Sequence, residues 1–599
     1  MFQEFSAKSS PANGPVRLAA LRREIGRAGL DGFIVPRADA FQGEYVAESD
    51  ARLGWLTGFT GSAGFCIALA DRAGVFIDGR YRVQVRAEVD LGAFTPVPWP
   101  EVKPGPWLRE QMPQGGAVGF DPWLHTRREI EELAKALAGS GITLVESRNL
   151  VNAIWTDRPA PPRAPARIHP AEFAGEDSAT KRRRLGAAIA SGGARTAVLT
   201  LPDSIAWLLN IRGADIPRNP VVQAFALLDS TGGLALFADP DKFDAALLAH
   251  LGPEVRLAPF DAFGEALTDL AGPVQVDPAT APLAVWRQLE AAGIPAIAGE
   301  DPCIAAKARK NPAEVAGMEA AHLRDAAALT EFLAWVDAEA PTGGLTEIDV
   351  VTRLEDCRRA TGVLLDISFD TICGAGPNGA IVHYRVTEGT NRAVTPGELL
   401  LVDSGAQYPD GTTDITRTLA VGPVRDDARA PFTRVLRGMI AVARARWPRG
   451  LAGRDLDALA RAPLWEAGLD YDHGTGHGVG AALCVHEGPA RISRISDVAL
   501  APGMILSDEP GYYREGAFGI RIENLLLIEE APKLGDGRDH LCFRTLTWVP
   551  IDRRLIVAEM LSTEERAWLD GYHAEVLARV APLVSAPTRA WLEAACAPL

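Results

Sequence analysis

The sequence predicts a chain of α/β and α+β class: two similar α/β domains, then a third domain that mixes strands with longer helices. Three observations predict it. Near the N-terminus, helical spacing alternates with short apolar strands. That alternation returns after a proline-rich break, and the last third changes character and ends in a helix-rich tail. At 599 residues the chain exceeds what one core supports, so two to four domains are expected.

Leu18, Leu21, Ile25 and Leu30 recur at helical spacing over 16–30, and Gly29 and Gly32 close that segment. Phe33-Ile34-Val35, stopped by Pro36, and Val75-Phe76-Ile77 read as buried strands. A helix over 181–190 and a strand over 196–199 repeat the order. Trp207-Leu208-Leu209-Asn210-Ile211-Arg212-Gly213 then stands where Trp55-Leu56-Thr57-Gly58-Phe59-Thr60-Gly61 stands in the first pass, which predicts a duplicated domain. Pro159, Pro161, Pro162 and Pro165 make the stretch between them an extended linker. A second boundary falls at Asn311-Pro312. Asn311 suits an N-cap, Pro312 the first helical position and Glu314 the third, so a helix should run to about 340 and bury Met318, Leu329, Leu333 and Val336. Beyond it, 399–402, 504–507 and 520–528 read as strands, 432–447 and 456–467 as helices, and 562–596 as a helical tail. The domains expected are 1–160, 161–310 and 311–599.

Composition excludes several functions. The net charge of −16 argues against a nucleic-acid or anionic-membrane partner. Seven cysteines, with no C-x-x-C pair, suit a reducing compartment and exclude a thiolate zinc cluster of the usual spacing. The N-terminus shows no basic segment followed by an apolar one, and no apolar run reaches the roughly 18 residues of a spanning helix. A cytoplasmic protein is expected. Lys181-Arg182-Arg183-Arg184 is an isolated basic run, read as a solvated helix face.

The chemistry concentrates between Asp403 and Glu523. Asp403, Asp414, His477, Glu509 and Glu523 each end or lie inside a short apolar run. One Asp after a strand is ordinarily a turn residue. The set is harder to dismiss. Gly405 and Gly411 give the 403–414 stretch the grammar of a hairpin, which would bring two carboxylates together, and paired carboxylates titrate abnormally unless a cation lies between them. A Glu among apolar neighbours, as at Glu523, is rare unless paired or metal-bound. Four carboxylates and an imidazole suit Mn²⁺, Co²⁺ or Zn²⁺. They exceed the ligand count of one open catalytic zinc and suit two ions bridged by carboxylates.

Four of the ten histidines, His383, His473, His477 and His486, fall in the same region. His473 and His477 are four apart, but Gly474, Gly476, Gly478 and Gly480 rule out a helical ligand pair; such glycines let backbone and imidazoles crowd a ligand. His125, His169, His250, His322, His540 and His573 read as ordinary structural residues. Gly374-Ala375-Gly376-Pro377-Asn378-Gly379 fits a dinucleotide fingerprint, but the adjoining segment, Ala380-Ile381-Val382-His383-Tyr384, reads as a strand where that motif needs a helix.

Together these motifs carry a resemblance. His473-Gly474-Thr475-Gly476-His477-Gly478-Val479-Gly480, Val485-His486-Glu487-Gly488-Pro489, Asp508-Glu509-Pro510-Gly511-Tyr512-Tyr513 and the 519–524 stretch resemble the pita-bread metallopeptidases, and among them the long, three-domain aminopeptidase P type. So do Asn149-Leu150-Val151, Ile154-Trp155-Thr156-Asp157-Arg158-Pro159 and the 376–384 and 403–414 stretches. The resemblance implies two creatinase-like α/β domains before a pita-bread catalytic domain. It implies two divalent ions, with Mn²⁺ expected and Co²⁺ or Zn²⁺ as alternatives. Asp403 would hold one ion, Asp414 and Glu523 would bridge both, and His477 and Glu509 would hold the second. His383, His473, His486 and Glu509 would be catalytic, and Arg80, His383, His477, His486 and Arg521 would meet the substrate. Arg385 departs from the small residue usual in eukaryotic members. The activity implied is release of an N-terminal residue that precedes proline, by a homodimer. An Xaa-Pro dipeptidase and a non-catalytic binding protein of the same fold are the alternatives. The doubled N-terminal domain argues against the first, and the complete ligand set against the second.

Overall fold

The computed structural model describes residues 1–423, 425–533, 535 and 537–599. The chain divides into two compact units, one of residues 8–304 and one of residues 1–7 with 305–599.

The 8–304 unit holds two six-stranded sheets. The first comprises β1 (Gly32–Pro36), β2 (Phe65–Leu69), β3 (Ala73–Ile77), β4 (Thr95–Pro98), β5 (Gly116–Phe120) and β6 (Ile142–Glu146), in the order 4-3-2-1-5-6. The second comprises β7 (Thr196–Leu199), β8 (Phe225–Asp229), β9 (Leu234–Phe237), β10 (Val255–Ala258), β11 (Val274–Val276) and β12 (Ala296–Ala298), in the order 10-9-8-7-11-12. Counted within its own sheet, the second order is the first one again. The directions match too: each first strand pairs antiparallel with its second and parallel with its fifth. The duplication read from the two Trp-Leu motifs is therefore real. Trp55 and Trp207 lie in short helices, Arg52–Thr57 and Pro202–Leu209, at the same point between first and second strands. The two sheets share one apolar core, in which Ile34, Phe76 and Val118 of the first meet Val198, Phe225 and Val276 of the second. The linker at 158–166 has no regular structure, as its prolines require.

The basic run departs from expectation. Arg183 and Arg184 of helix Ser178–Ser191 are exposed, but Lys181 and Arg182 are buried. Lys181 Nζ donates to the Trp207 carbonyl at 3.0 Å and to Asn210 Oδ1 at 2.8 Å, so half of the run fastens this domain internally.

The second unit opens on α1 (Pro312–Glu339), which is the predicted helix. Asn311 accepts from the backbone N–H of Ala313 and Glu314, and Glu314 returns a bond to the Asn311 N–H, closing a capping box. Met318, Leu329, Leu333 and Val336 are all buried. After a helix over Glu347–Arg359 comes a three-stranded sheet: β13 (Ile372–Ala375), β14 (Leu399–Ser404) and β15 (Ile415–Ala420), with β14 in the middle. Beyond it lie α2 (Asp426–Ala443) and α3 (Arg454–Trp465), separated by β16 (Arg446–Pro448). The helix read over 432–447 thus stops early, because Trp447 joins a sheet edge and Pro448 cannot extend a helix.

Further strands are β17 (Gly476–Gly478), β18 (Glu487–Ile492), β19 (Ile505–Asp508), β20 (Gly511–Arg514), β21 (Phe518–Arg521), β22 (Asn524–Glu530) and β23 (His540–Thr545). Six of the strands form one sheet in the order 16-23-22-19-17-18. The tail is α4 (Thr563–Val580) and α5 (Ala586–Ala595). Two further sequence expectations fail here. The 520–528 strand is two strands broken at Ile522-Glu523, and 381–384 is a turn and loop. The loop has a reason. Buried Glu347 accepts from the Ala375 N–H, Asn378 Nδ2, the Tyr384 hydroxyl and the Arg392 N–H, and four donors on one carboxylate wrap this segment around a point.

Candidate metal centre

The β14–β15 hairpin brings the first pair of carboxylates together. Asp403 pairs with Thr416 and Ser404 with Ile415, so Asp414, just before β15, lies across from the end of β14. Gly405 is required there: a Cβ would fall 1.9 Å from Ser368 Oγ and 2.1 Å from the Thr413 carbonyl. His477 lies in β17, Glu509 directly after β19, and Glu523 in the break between β21 and β22. The glycines flanking His477 allow this approach, since a Cβ at Gly476 would meet the Ser507 carbonyl at 1.9 Å and one at Gly478 the Glu487 carbonyl at 2.2 Å.

Ligand atoms of Asp414, His477 and Glu523 all lie within 4.8 Å of one another. His477 Nε2 is 3.4 Å from Asp414 Oδ2 and 3.5 Å from Glu509 Oε1. The other ring nitrogen, Nδ1, is 3.0 Å from the Gly478 carbonyl, which fixes it as the N–H and leaves the Nε2 lone pair toward the carboxylates. Asp403 Oδ2 accepts from the Arg521 guanidinium at 2.6 Å, while its Oδ1 is buried with no donor among the described residues. A buried, orphaned carboxylate oxygen beside three converging ligands fits a cation.

Electrostatics agree. Burial, then the Asp403 charge, pushes Asp414 well above the usual carboxylate range. Burial, then Asp414, does the same to Glu523. Burial raises Glu509 to about 7, against the lowering pull of His477 and Arg521. These carboxylates cannot all be anionic side by side in a dry site without a compensating positive charge.

The neighbouring histidines are only half-buried. The His486 ring stands perpendicular to that of His477, with centroids 4.3 Å apart. His473 Nε2 is 2.9 Å from the Tyr513 hydroxyl, which accepts from Arg521 at 2.6 Å. His383 follows Val382, whose carbonyl accepts from Arg521 at 3.4 Å. Arg521 is itself buried, and its donors go to Asp403, Tyr513, Thr416 and Val382; in this structure it holds those groups. Arg80 belongs to the other unit, where it pairs with Asp78 at 2.7 Å. Arg385 pairs with Asp370 at 2.8 Å and donates to the carbonyls of Glu4 and Ser6, so it fastens the first residues of the chain.

Sequence reasoning missed the supporting side chains. Ser507 Oγ accepts from the His477 N–H at 2.9 Å and donates to Glu509 Oε1 at 3.2 Å. Thr416 Oγ1 donates to Glu523 Oε2 at 2.7 Å. The available signal was position, since Thr416 is two residues from Asp414 and Ser507 two from Glu509.

Residues 316–530 match metallopeptidase family M24. Residues 17–154 and 157–314 each match the creatinase/prolidase N-terminal domain, and 539–599 match the C-terminal region of peptidase M24. A probable Xaa-Pro aminopeptidase P of Neosartorya fischeri is 40% identical, over 99% of this chain and 94% of that one. The chain belongs to the aminopeptidase P family of M24 metallopeptidases. Within that family, aminopeptidase P2 of Arabidopsis thaliana is 40% identical, over 96% of this chain and 87% of its own. The crystal structure of an X-prolyl aminopeptidase from Caenorhabditis elegans, described as a cytosolic enzyme with a di-nuclear active site, has a TM-score of 0.92 and 33% identity to this aminopeptidase P family member. That match covers 98% of this chain and 99% of the other. The fold class expected from the motifs, two creatinase-like domains followed by a pita-bread domain, is the fold observed.

Proposed function

We propose that this protein is a metal-dependent aminopeptidase that releases the N-terminal residue from peptides with proline in second position. One observation carries the reading: Asp414, His477 and Glu523 converge within 4.8 Å, with Asp403 and Glu509 beside them, in a chain matched end to end by aminopeptidase P relatives. The full-length match, doubled domain included, favours this activity over an Xaa-Pro dipeptidase.

Two divalent ions, with Mn²⁺ expected, would be held by five side chains. Asp403 would hold one, His477 and Glu509 the other, and Asp414 and Glu523 would be shared between them. When bound, such ions lower the pKa of coordinated water, supply a nucleophile near neutral pH and polarise the scissile carbonyl. The protein's own groups do the rest. Glu509 accepts the proton of the attacking water. His486 donates a hydrogen bond to the carbonyl oxygen as charge develops there. The nitrogen of an Xaa-Pro bond carries no hydrogen, so it must be protonated to leave, and His383 assists it. His473 is held by the Tyr513 hydroxyl at the edge of the site. Arg80, His383, His477 and His486 are assigned to substrate contact, and Arg521 to orienting Asp403. The domains are taken as 1–160, 161–310 and 311–599, acting in a cytoplasmic homodimer. Among the described residues, no helix is long and apolar enough to cross a membrane.

The test is metal-depleted protein re-supplied separately with Mn²⁺, Co²⁺ and Zn²⁺ and assayed on an Xaa-Pro tripeptide and on Gly-Pro. Restored cleavage of the tripeptide, with Gly-Pro a far poorer substrate, is expected. Preference for the dipeptide would assign a dipeptidase, and no activity with any ion would remove the reading.

A further inference from the structure

Arg417 lies in β15, three residues from Asp414, and is only 2% exposed. Its guanidinium donates to six oxygens, all of them neutral. Nε reaches the Pro550 carbonyl at 3.1 Å. One terminal nitrogen bridges the Thr416 and Glu523 carbonyls at 2.9 and 2.6 Å. The other reaches Asn524 Oδ1 at 2.8 Å, the Val549 carbonyl at 2.8 Å and the Tyr572 hydroxyl at 3.0 Å. Three separate stretches therefore meet on one side chain: the hairpin strand behind Asp414, the break that carries Glu523, and the segment running from Val549 to Tyr572 of α4.

Glu523 needs such support. It lies outside both flanking strands, so no regular ladder orients it. Its backbone is held by two contacts to one strand: its N–H donates to the Thr416 carbonyl at 3.1 Å, and its carbonyl accepts from Arg417. Tyr572 is fixed in turn. Its ring stacks on Trp568 and Trp548, and its hydroxyl donates to the Val549 carbonyl at 2.8 Å.

We infer that Arg417 is a positioning residue for the metal centre, and that through it the Val549–Tyr572 region sets the orientation of Glu523. The inference rests on the reading that Asp414 and Glu523 hold metal. Lysine cannot replace Arg417, because an ammonium has three donors and no planar fork to span these oxygens. Removing a group that orients a metal ligand typically costs 10–100-fold in affinity.

The test uses full-length wild type, Arg417→Lys and Tyr572→Phe, each metal-depleted and then titrated with Co²⁺. The dissociation constant and the visible d–d spectrum are both recorded, the latter because it reports ligand geometry rather than general stability. The expected order of affinity is wild type, then Tyr572→Phe weaker by a few-fold, then Arg417→Lys weaker by 10–100-fold, with altered spectra in both variants. Tyr572→Phe removes one hydroxyl from a stacked ring, so it keeps the test decisive if Arg417→Lys does not fold. Wild-type spectrum and affinity within twofold in the folded variants would overturn the inference. Failure of wild type to bind Co²⁺ would instead overturn the reading of the site beneath it.

Discussion

Glu509 shows how single residues here depend on their surroundings. Burial raises its folded value to about 7 from an ordinary 4.5. Metal-free folded protein therefore keeps a proton that the unfolded chain has released between those values. The contribution to stability is complete below about pH 4.5 and lost as pH rises through 7. Asp414 and Glu523, raised well above the usual range, act in the same direction. Bound cations oppose this by favouring the anions. We predict that the thermal midpoint of metal-depleted protein falls between pH 6 and pH 8, and that metal-loaded protein shows a smaller fall or a rise. Differential scanning calorimetry with EDTA or with Mn²⁺ measures both. Asp39 and Asp301, raised to about 6 by burial in the other unit, titrate in both samples, so the difference between samples isolates the metal centre. Parallel pH curves would contradict this assignment. At this scale the candidate ligands stand out only as a set. One Asp after a strand is ordinarily a turn residue, but four carboxylates and an imidazole recurring at the ends of or inside apolar runs within one region are not explained that way. Ser507, Thr416, Tyr513 and Arg417 do not stand out. Such residues are common in strands, and the partners that give Thr416 and Arg417 meaning lie about a hundred positions away.

Elements are held to the site by buried charge as well as by ladders. Glu487 begins β18, directly after His486, and is buried between Lys307 Nζ at 2.8 Å and Lys310 Nζ. Two ammonium groups on one carboxylate leave an uncompensated buried charge if the carboxylate is lost. Glu487→Gln should therefore destabilise by about 3–5 kcal/mol, the cost typical of breaking a buried pair. A drop of several degrees in the midpoint of the 305–599 unit is expected, and a change under one degree would show that the triad is solvated instead. Lysine, like glutamate, is usually a surface residue, so nothing in the local sequence marks these three as a buried group. The failed element readings share that cause. The 520–528 run is apolar enough for one strand, yet Glu523 must leave the ladder to face the carboxylates. The 380–384 run is apolar enough for a strand, yet Glu347, which gathers donors from Ala375, Asn378, Tyr384 and Arg392, curls it. Local pattern gives element type, and tertiary partners decide where an element ends.

For the molecule as a whole, duplication was the most legible feature. A seven-residue echo around Trp55 and Trp207 was enough to expect two copies, and both sheets run 4-3-2-1-5-6. The merging of the two copies into one core was not legible, because strands buried on both faces look alike whatever covers them. In the 305–599 unit, Asp403 of β14, Asp414 just before β15, His477 of β17, Glu509 just after β19 and Glu523 in the β21–β22 break form the candidate cluster, drawn from residues 403–523, and Tyr572 of α4 bonds Arg417 behind it. The proposed peptidase depends on that cluster holding two cations. Anomalous diffraction from Mn²⁺-loaded crystals, recorded on either side of the manganese edge, shows whether it does. Two peaks about 3.5–4 Å apart are expected, with Asp414 and Glu523 between them and Asp403 on one side, opposite His477 and Glu509. A single peak, or peaks away from these five side chains, would contradict the dinuclear centre.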